Sequence, residues 1–212
     1  MLSNEDYQHI FHEIKNIVTL INSSLQIIAK QHPEIESYDY WNDAVSDVRV
    51  LKEIVVELST VKIGENINKM STNVSHFLDE IRHATRATLG EHIVCTFCTE
   101  ENLPDIGIDS FRMKQAMINL IKNAFEAMNG IGTLTIHTFQ RDHSLYFELA
   151  DDGCGMDADT LEHIYTPFYT SKSNGSGLGL AITKTIIESH GGTISCRSVL
   201  GRGTIFTVSI PY

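Results

Sequence analysis

The chain has 212 residues, enough for one or two domains. It is 42% hydrophobic and 20% charged, the composition of an ordinary soluble globular protein, and its formal charge of −11 argues against a nucleic-acid partner, because phosphate binding wants a basic face. No apolar run approaches the roughly 18 residues of a membrane span, no signal peptide opens the chain, and the four cysteines form no disulfide framework, which fits a reducing cytoplasm.

From about Glu5 to Lys30 the pattern is one helix. Ile10, Ile14, Ile17, Ile21, Leu25 and Ile28 recur at three- and four-residue steps, and Phe11 and Val18 widen the stripe. Pro33 ends it, because it disfavours helical geometry at His32. A second helix runs from about Tyr38 to Lys62 on Trp41, Val45, Val48, Leu51, Val55 and Leu58, with Gly64 as its stop. The short connection predicts an antiparallel hairpin. Its wide apolar faces predict a dimer, two hairpins forming a four-helix bundle.

Beyond residue 65 the character changes. Asn73 to Leu89 reads as a helix and Ile93 to Cys98 as a strand. A helix from Phe111 to Met128 is capped by Asp109 or Ser110. Strands at Thr133–Phe139 and Ser144–Ala150 make a hairpin. Gly177 to His190 is helical, and strands at Thr193–Ser198 and Thr204–Ile210 close the chain around a Gly201-Arg-Gly203 turn. The expectation is an α+β fold: a helical hairpin over 1–65, then an α/β sandwich over 66–212 with helices on one face of a mixed sheet.

Three polar motifs carry chemistry. Asn119 and Asn123 share one face of their helix, and Asn123 offers the neutral oxygen that Mg²⁺ accepts beside phosphates and water. Asp151 follows an apolar strand and can accept from an exocyclic amine, while Gly153 and Gly155 permit positive φ and close approach of a flat ligand. Gly175-Ser-Gly177-Leu178-Gly179 opens a helix, where unpaired amides and the helix dipole suit an anion, with Lys172 just upstream. Taken singly, each has a bland reading: solvated asparagines, an acidic turn, a flexible loop. Together they ask for a nucleotide with Mg²⁺. On the first helix His12 stands beside Glu13, off the centre of the apolar stripe, as a nucleophile with its base. The chain has ten histidines, and His9 lies one turn earlier. Cys95 and Cys98 invite a zinc reading, but they face opposite ways on a strand and lack a second pair.

In order and spacing these motifs resemble the catalytic core of bacterial two-component sensor histidine kinases, over nearly the whole chain. His12-Glu13-Ile-Lys-Asn16 is similar to the phospho-acceptor box. Asn119-Leu-Ile-Lys122-Asn123-Ala, Asp151-Asp-Gly153-Cys-Gly155, Ile164 to Lys172, Gly175 to Leu180 and Gly201-Arg-Gly203-Thr204 are similar to the five boxes of a GHKL-type ATP-binding domain. The resemblance implies that Asn123 holds Mg²⁺, with Asn119 and Lys122 near the triphosphate. It implies that Asp151 reads the adenine amino group with Gly153 and Thr204 alongside. Gly155, Lys172, Gly175, Gly177, Leu178 and Gly179 then shape the lid and phosphate site. His12 attacks the γ-phosphorus with Glu13 taking the ring proton, and the phosphoryl passes to an aspartate of a response regulator. Asn16 orients water for dephosphorylating that regulator.

Three departures from the family pattern stand out. Ile17 replaces a proline common five residues after the acceptor, which predicts a straighter helix. Only a short segment precedes His12, which reads as an excised core or a soluble kinase run by separate proteins. The span from Met156 to Gly175 is short, so the lid is compact. The rival readings are a phosphorelay or phosphatase module with weak autokinase activity, and a GHKL-type serine kinase or ATPase.

Overall fold

A computed structural model of the chain describes residues 4–61, 67–86, 92–172 and 175–212, with side chains described except at 4–12, 53 and 56–61. It divides into two compact units, residues 1–63 with 167–178 and residues 64–166 with 179–212.

The first unit holds α1 (Asn4–Gln31), a 3-10 turn (Pro33–Ser37) and α2 (Asp39–Val61). The first helix stops where proline requires it: His32 leaves helical geometry at φ −132°, and Pro33 opens the turn. Helix α1 runs unbroken through Ile17. The two helices pack on each other, with Val18 and Val55 buried. The apolar stripe of α1 is not covered: Ile14, Ile17, Ile21 and Ile28 are 36%, 55%, 42% and 37% exposed. Leu20 and Ile27, outside that stripe, are more exposed still, at 67% and 56%. The expected stop at Gly64 and the boundary at residue 65 lie outside the described residues.

The second unit contains β1 (Met70–Thr72), α3 (Val74–Arg86), β2 (Ile93–Thr99), β3 (Ile106–Ile108), α4 (Ser110–Met128), β4 (Gly132–Arg141), β5 (Ser144–Asp151), α5 (Ala158–His163), α6 (Gly179–Ser189), β6 (Thr193–Val199) and β7 (Gly203–Pro211). Five strands form one sheet in the order β2-β4-β5-β7-β6. Only β2 and β4 run parallel; the other neighbours are antiparallel, so the sheet is mixed as the sequence predicts. Strand alternation divides its faces. Leu134, Ile136, Phe147, Leu149, Phe206 and Val208 are buried in one core with Phe77, Ile81, Met117 and Leu120 of α3 and α4. Phe77 meets Phe147 edge to face at 6.1 Å. The alternate residues, such as Thr135, His137, Tyr146 and Glu148, keep part of their surface in solvent.

The structure adds elements that the sequence reading lacks. Strands β1 and β3 pair antiparallel in a small ribbon, three residues each, and α5 is six residues long. Helix α6 begins at Gly179 rather than Gly177, because Gly177 sits at φ +68°, outside the right-handed helical region. The expected end of α3 at Leu89 lies outside the described residues.

Candidate functional site

Helix α4 is the spine of the site. Asp109 caps it, its carboxylate accepting from the Arg112 amide at 3.1 Å. Met113, Ala116, Met117, Leu120, Ile121 and Ala124 are buried and fix the rotation of the helix. That rotation leaves Asn119, Asn123 and Ala127 half-buried along one stripe at four-residue steps. Lys122 lies to the side, exposed, 3.8 Å from Glu126.

Each end of the stripe meets a different loop. At Asn119 the side-chain amide donates to the Thr183 hydroxyl at 3.0 Å. Its oxygen faces Gly179, where an added Cβ would stand 2.7 Å away. Asn119 therefore braces α4 against the first turn of α6. At the other end, the Cys154 amide donates to the Ala127 carbonyl at 3.0 Å. Gly153 packs so tightly there that a Cβ would lie 2.8 Å from the Ala127 carbonyl carbon. This corrects the expectation that Gly153 serves positive φ: only Gly155 does, at +64°, and Gly153 is required by the approach of the helix backbone.

Asp151 ends β5 with only 9% of its surface exposed. Burial pushes its carboxyl above the usual carboxylate range, while the amides of Gly153 and Thr204 pull it back and Asp152 pushes it up slightly. The Gly153 amide donates to Oδ1 at 2.9 Å. Across the sheet, Asp151 pairs with Thr204 of β7, and Thr204 pairs with Ser198 of β6. Thr204 is buried, its hydroxyl 2.9 Å from the Ser198 hydroxyl. Ser198 also accepts from the Met156 amide at 2.8 Å and donates to the Gly203 carbonyl at 3.0 Å. The sequence reading missed Ser198. Its signal was available in the Gly201-centred hairpin turn, which sets residue 198 opposite residue 204. Cys196, on the same face of β6, is partly buried, and its thiol is pushed up to about 12 by burial and by Asp151. Cys95 is raised to about 11 by burial, so both thiols stay protonated near neutrality. Cys95 and Cys98 do differ in exposure, as opposite-facing residues should.

The residues expected to shape a lid, Lys172, Gly175, Gly177 and Leu178, belong to the other unit. The Phe168 amide donates to the Gly177 carbonyl at 3.0 Å, closing the loop, and Gly177 is required twice over: its φ is +68° and a Cβ would stand 2.5 Å from the Phe168 carbonyl carbon. Within the loop the Gly175 amide donates to the Lys172 carbonyl at 3.3 Å, and the Leu178 amide to the Ser176 hydroxyl at 3.2 Å. Two of the amides expected to be unpaired thus have acceptors inside the loop. The Lys172 side chain is exposed and Leu178 is buried. In the same unit, Glu13 and Asn16 are exposed on α1. His12 lies in that helix, and its side chain is outside those described.

Among the described residues, no helix is long and apolar enough to cross a membrane. Residues 108–212 match the family described as histidine kinase-, DNA gyrase B-, and HSP90-like ATPases. Sporulation kinase C of Bacillus subtilis (strain 168) is 32% identical over 208 residues, covering 95% of this chain and 47% of that protein. The chain thus spans less than half the length of that relative. The crystal structure of full-length ShkA in complex with AMPPNP superposes with a TM-score of 0.78 at 19% identity, covering 99% of this chain and 46% of that one, which speaks to fold. Histidine kinase ThkA, crystallised in complex with the response regulator protein TrrA, gives a TM-score of 0.66 at 25% identity, covering 98% of this chain and 61% of that one. With Asp151, the α4 asparagines and the glycine loops in these positions, the chain carries a GHKL-type ATPase catalytic core and is similar over 95% of its length to sensor histidine kinases.

Proposed function

We propose that the chain is an ATP-dependent protein-histidine kinase core that phosphorylates itself on His12 and passes the phosphoryl group to an aspartate of a response regulator. It works as a cytoplasmic homodimer, with residues 1–65 as the dimerisation and phosphotransfer hairpin and 66–212 as the ATP-binding domain.

The observation that carries this reading is the α4 stripe. Asn119 meets the start of α6 at one end, Ala127 meets the Asp151 loop at the other, and Asn123 stands between. Eight residues of helix span about 12 Å, which suits a nucleotide laid along it, base toward Asp151 and phosphates toward Gly179. The α6 start favours anions through its dipole. Asp151 is a buried acceptor ready for an exocyclic amine.

The donor set also fits Mg²⁺. Asn123 offers one neutral oxygen, and among the described residues no group of three His, Cys, Asp or Glu forms a metal cage. The remaining positions then fall to phosphates and water, as Mg²⁺ prefers. Bound there, the ion would neutralise phosphate charge. Asn123 would orient it, Asn119 would hold the α6 start, and Lys122, Lys172, Gly175, Gly177 and Leu178 would surround the phosphates. Phosphoryl transfer asks for positioning and charge neutralisation rather than covalent help from the protein. His12 attacks as the neutral imidazole, its ordinary pKa being about 6.5. Glu13, exposed beside it in sequence, accepts the ring proton, and Asn16, one turn on, orients water for regulator dephosphorylation.

Homodimerisation is supported by the uncovered apolar face of α1. A regulator partner is supported by ThkA, which was crystallised with one.

Incubation with γ-labelled ATP and Mg²⁺ tests the reading. Acid-labile, base-stable label that disappears in His12→Gln is the expected result. Label that survives the substitution moves the acceptor, with His9 next. Acid-stable label on serine supports the serine-kinase reading. ATP binding without label supports the relay or phosphatase reading.

A further inference from the structure

One row of residues crosses three strands beside the proposed base site. Asp151 of β5, Thr204 of β7 and Ser198 of β6 are direct cross-strand partners, so their side chains share one face. The proton count in this row is constrained. A serine hydroxyl has one proton and two lone pairs. The Ser198 proton goes to the Gly203 carbonyl at 3.0 Å. One lone pair takes the Met156 amide at 2.8 Å. The remaining contact, 2.9 Å to Thr204 Oγ1, closes only if Thr204 is the donor. The Thr204 hydroxyl has then spent its proton on Ser198. What it turns away from Ser198 is lone pairs alone.

The place is held rigidly. The Gly201 amide donates to the Cys154 carbonyl at 2.7 Å. An added Cβ on Gly155 would strike the Val199 carbonyl, and one on Gly203 the Asp151 carbonyl. The β6–β7 turn and the Asp151 loop therefore touch backbone to backbone, and Ser198 sits at the seam with partners on both.

We propose that Ser198 is a positioning residue for base selection: by taking the Thr204 proton it makes Thr204 a pure acceptor beside Asp151, so that the site favours a 6-amino over a 6-oxo purine. The inference rests on the nucleotide reading above. An amino group has two protons to offer the two acceptors. A 6-oxo purine has one, on N1, and its oxygen meets lone pairs with lone pairs. Without Ser198 the Thr204 hydroxyl is free to rotate and donate to a 6-oxo group.

The test is equilibrium binding of Mg·ATP and Mg·ITP to the 212-residue chain, by competition against a fluorescent ATP analogue. Wild type is expected to prefer ATP. In Ser198→Ala the ATP-to-ITP preference is expected to fall about three- to tenfold, the worth of one redirected hydrogen bond. Ser198→Thr, which keeps the hydroxyl, is expected to retain the preference. Equal weakening of both nucleotides in Ser198→Ala, with the ratio unchanged, would make Ser198 a structural tie and overturn the proposal. Loss of preference in both variants would overturn it too, since bulk rather than the hydroxyl would then matter. Asp151→Asn separates the two levels. If it leaves ATP affinity intact, the base-site reading itself fails; if it weakens ATP while Ser198→Ala leaves the ratio alone, only the Ser198 assignment fails.

Discussion

Asp151 gains its use at a cost to the fold. A carboxyl raised above its ordinary value of 3.8 by burial prefers to be neutral in the folded chain. The unfolded chain ionises it more easily, so this group's contribution to stability is best below the unfolded value and falls as pH rises through the raised folded value. At neutral pH it holds a buried charge that only the Gly153 and Thr204 amides relieve. Asp151→Asn can keep the Gly153 bond through its amide oxygen and removes that charge. We expect the variant to gain thermal stability relative to wild type at pH 7, and the gain to shrink toward pH 4, while ATP affinity drops at least about tenfold, as expected for a charged acceptor lost from a buried pair. Melting curves of both proteins at the two pH values and one binding titration check this; a gain over wild type that is no larger at pH 7 than at pH 4 refutes the electrostatic account. His190 is the opposite case. It is 2% exposed, donates from Nδ1 to the Ile186 carbonyl at 2.7 Å and accepts at Nε2 from the Asp109 amide at 2.9 Å. Both ring nitrogens are used by the neutral tautomer alone. Burial lowers its pKa against a smaller rise from the Ile186 carbonyl, and the still smaller effects of Lys69 and Asp109 lower and raise it in turn. Its contribution is complete above the unfolded value of 6.5 and is lost as pH falls from there toward the folded value. Urea midpoints of wild type should therefore drop between pH 7 and 5.5 more steeply than those of His190→Gln, which should itself cost about 1–3 kcal/mol at pH 7.

At the scale of elements, α4 packs against α3, α6, β4, β5 and β7 of its unit, and its ends explain what sequence could and could not foretell. The stripe from Met113 to Ala124, the Asp109 cap and the shared face of Asn119 and Asn123 are local periodicities, and they stand in the structure as the sequence implies. The long strands β4, β5, β6 and β7 were legible for the same reason. Strands β1 and β3 were not: three residues hold too little alternation to register, and each is a strand only because the other lies beside it. Helix α5 has a cap signal, the Thr160 amide on Asp157 at 2.8 Å, but six residues show no helical period. Gly153 shows the deeper limit. Its motif announces a glycine, yet the reason for it is Ala127, a residue 26 positions earlier that no local rule connects to it. Gly153→Ala tests that reason. Its methyl would meet the Ala127 carbonyl carbon at 2.8 Å without any φ penalty, so backbone has to move. We expect a loss of about 1–3 kcal/mol in chemical denaturation, the usual toll of overpacking, together with weaker ATP binding as the Asp151 loop lifts from α4. A variant of wild-type stability would show that the loop yields freely.

For the whole molecule, the two units differ in how completely they bury their apolar residues. The sheet unit closes its own core, with Ile81, Ile108, Met113, Leu134 and Phe147 at or near zero exposure. Among the described residues the hairpin does not: it buries Val18 and Val55, while Leu20, Ile17 and Ile27 stand 67%, 55% and 56% exposed on one helix. A contiguous face of isoleucine and leucine facing water marks an association surface rather than scattered surface hydrophobes. The economical occupant is a second copy, because a two-fold axis lets one sequence stripe cover itself. Leu20→Asp discriminates between the two states. On a monomeric helix, a charge at a position two-thirds exposed changes stability by about 0.5 kcal/mol or less. In a four-helix bundle that covers this face the same carboxylate is buried in an apolar seam without a partner. Wild type is therefore expected to sediment as a dimer at micromolar concentration, and Leu20→Asp as a monomer. Its ATP affinity should stay within about twofold of wild type, because Leu20 is none of the residues proposed to hold the nucleotide. A Leu20→Asp chain that still sediments as a dimer would refute this face as the interface. A wild-type chain that sediments as a monomer at every concentration would refute the bundle altogether.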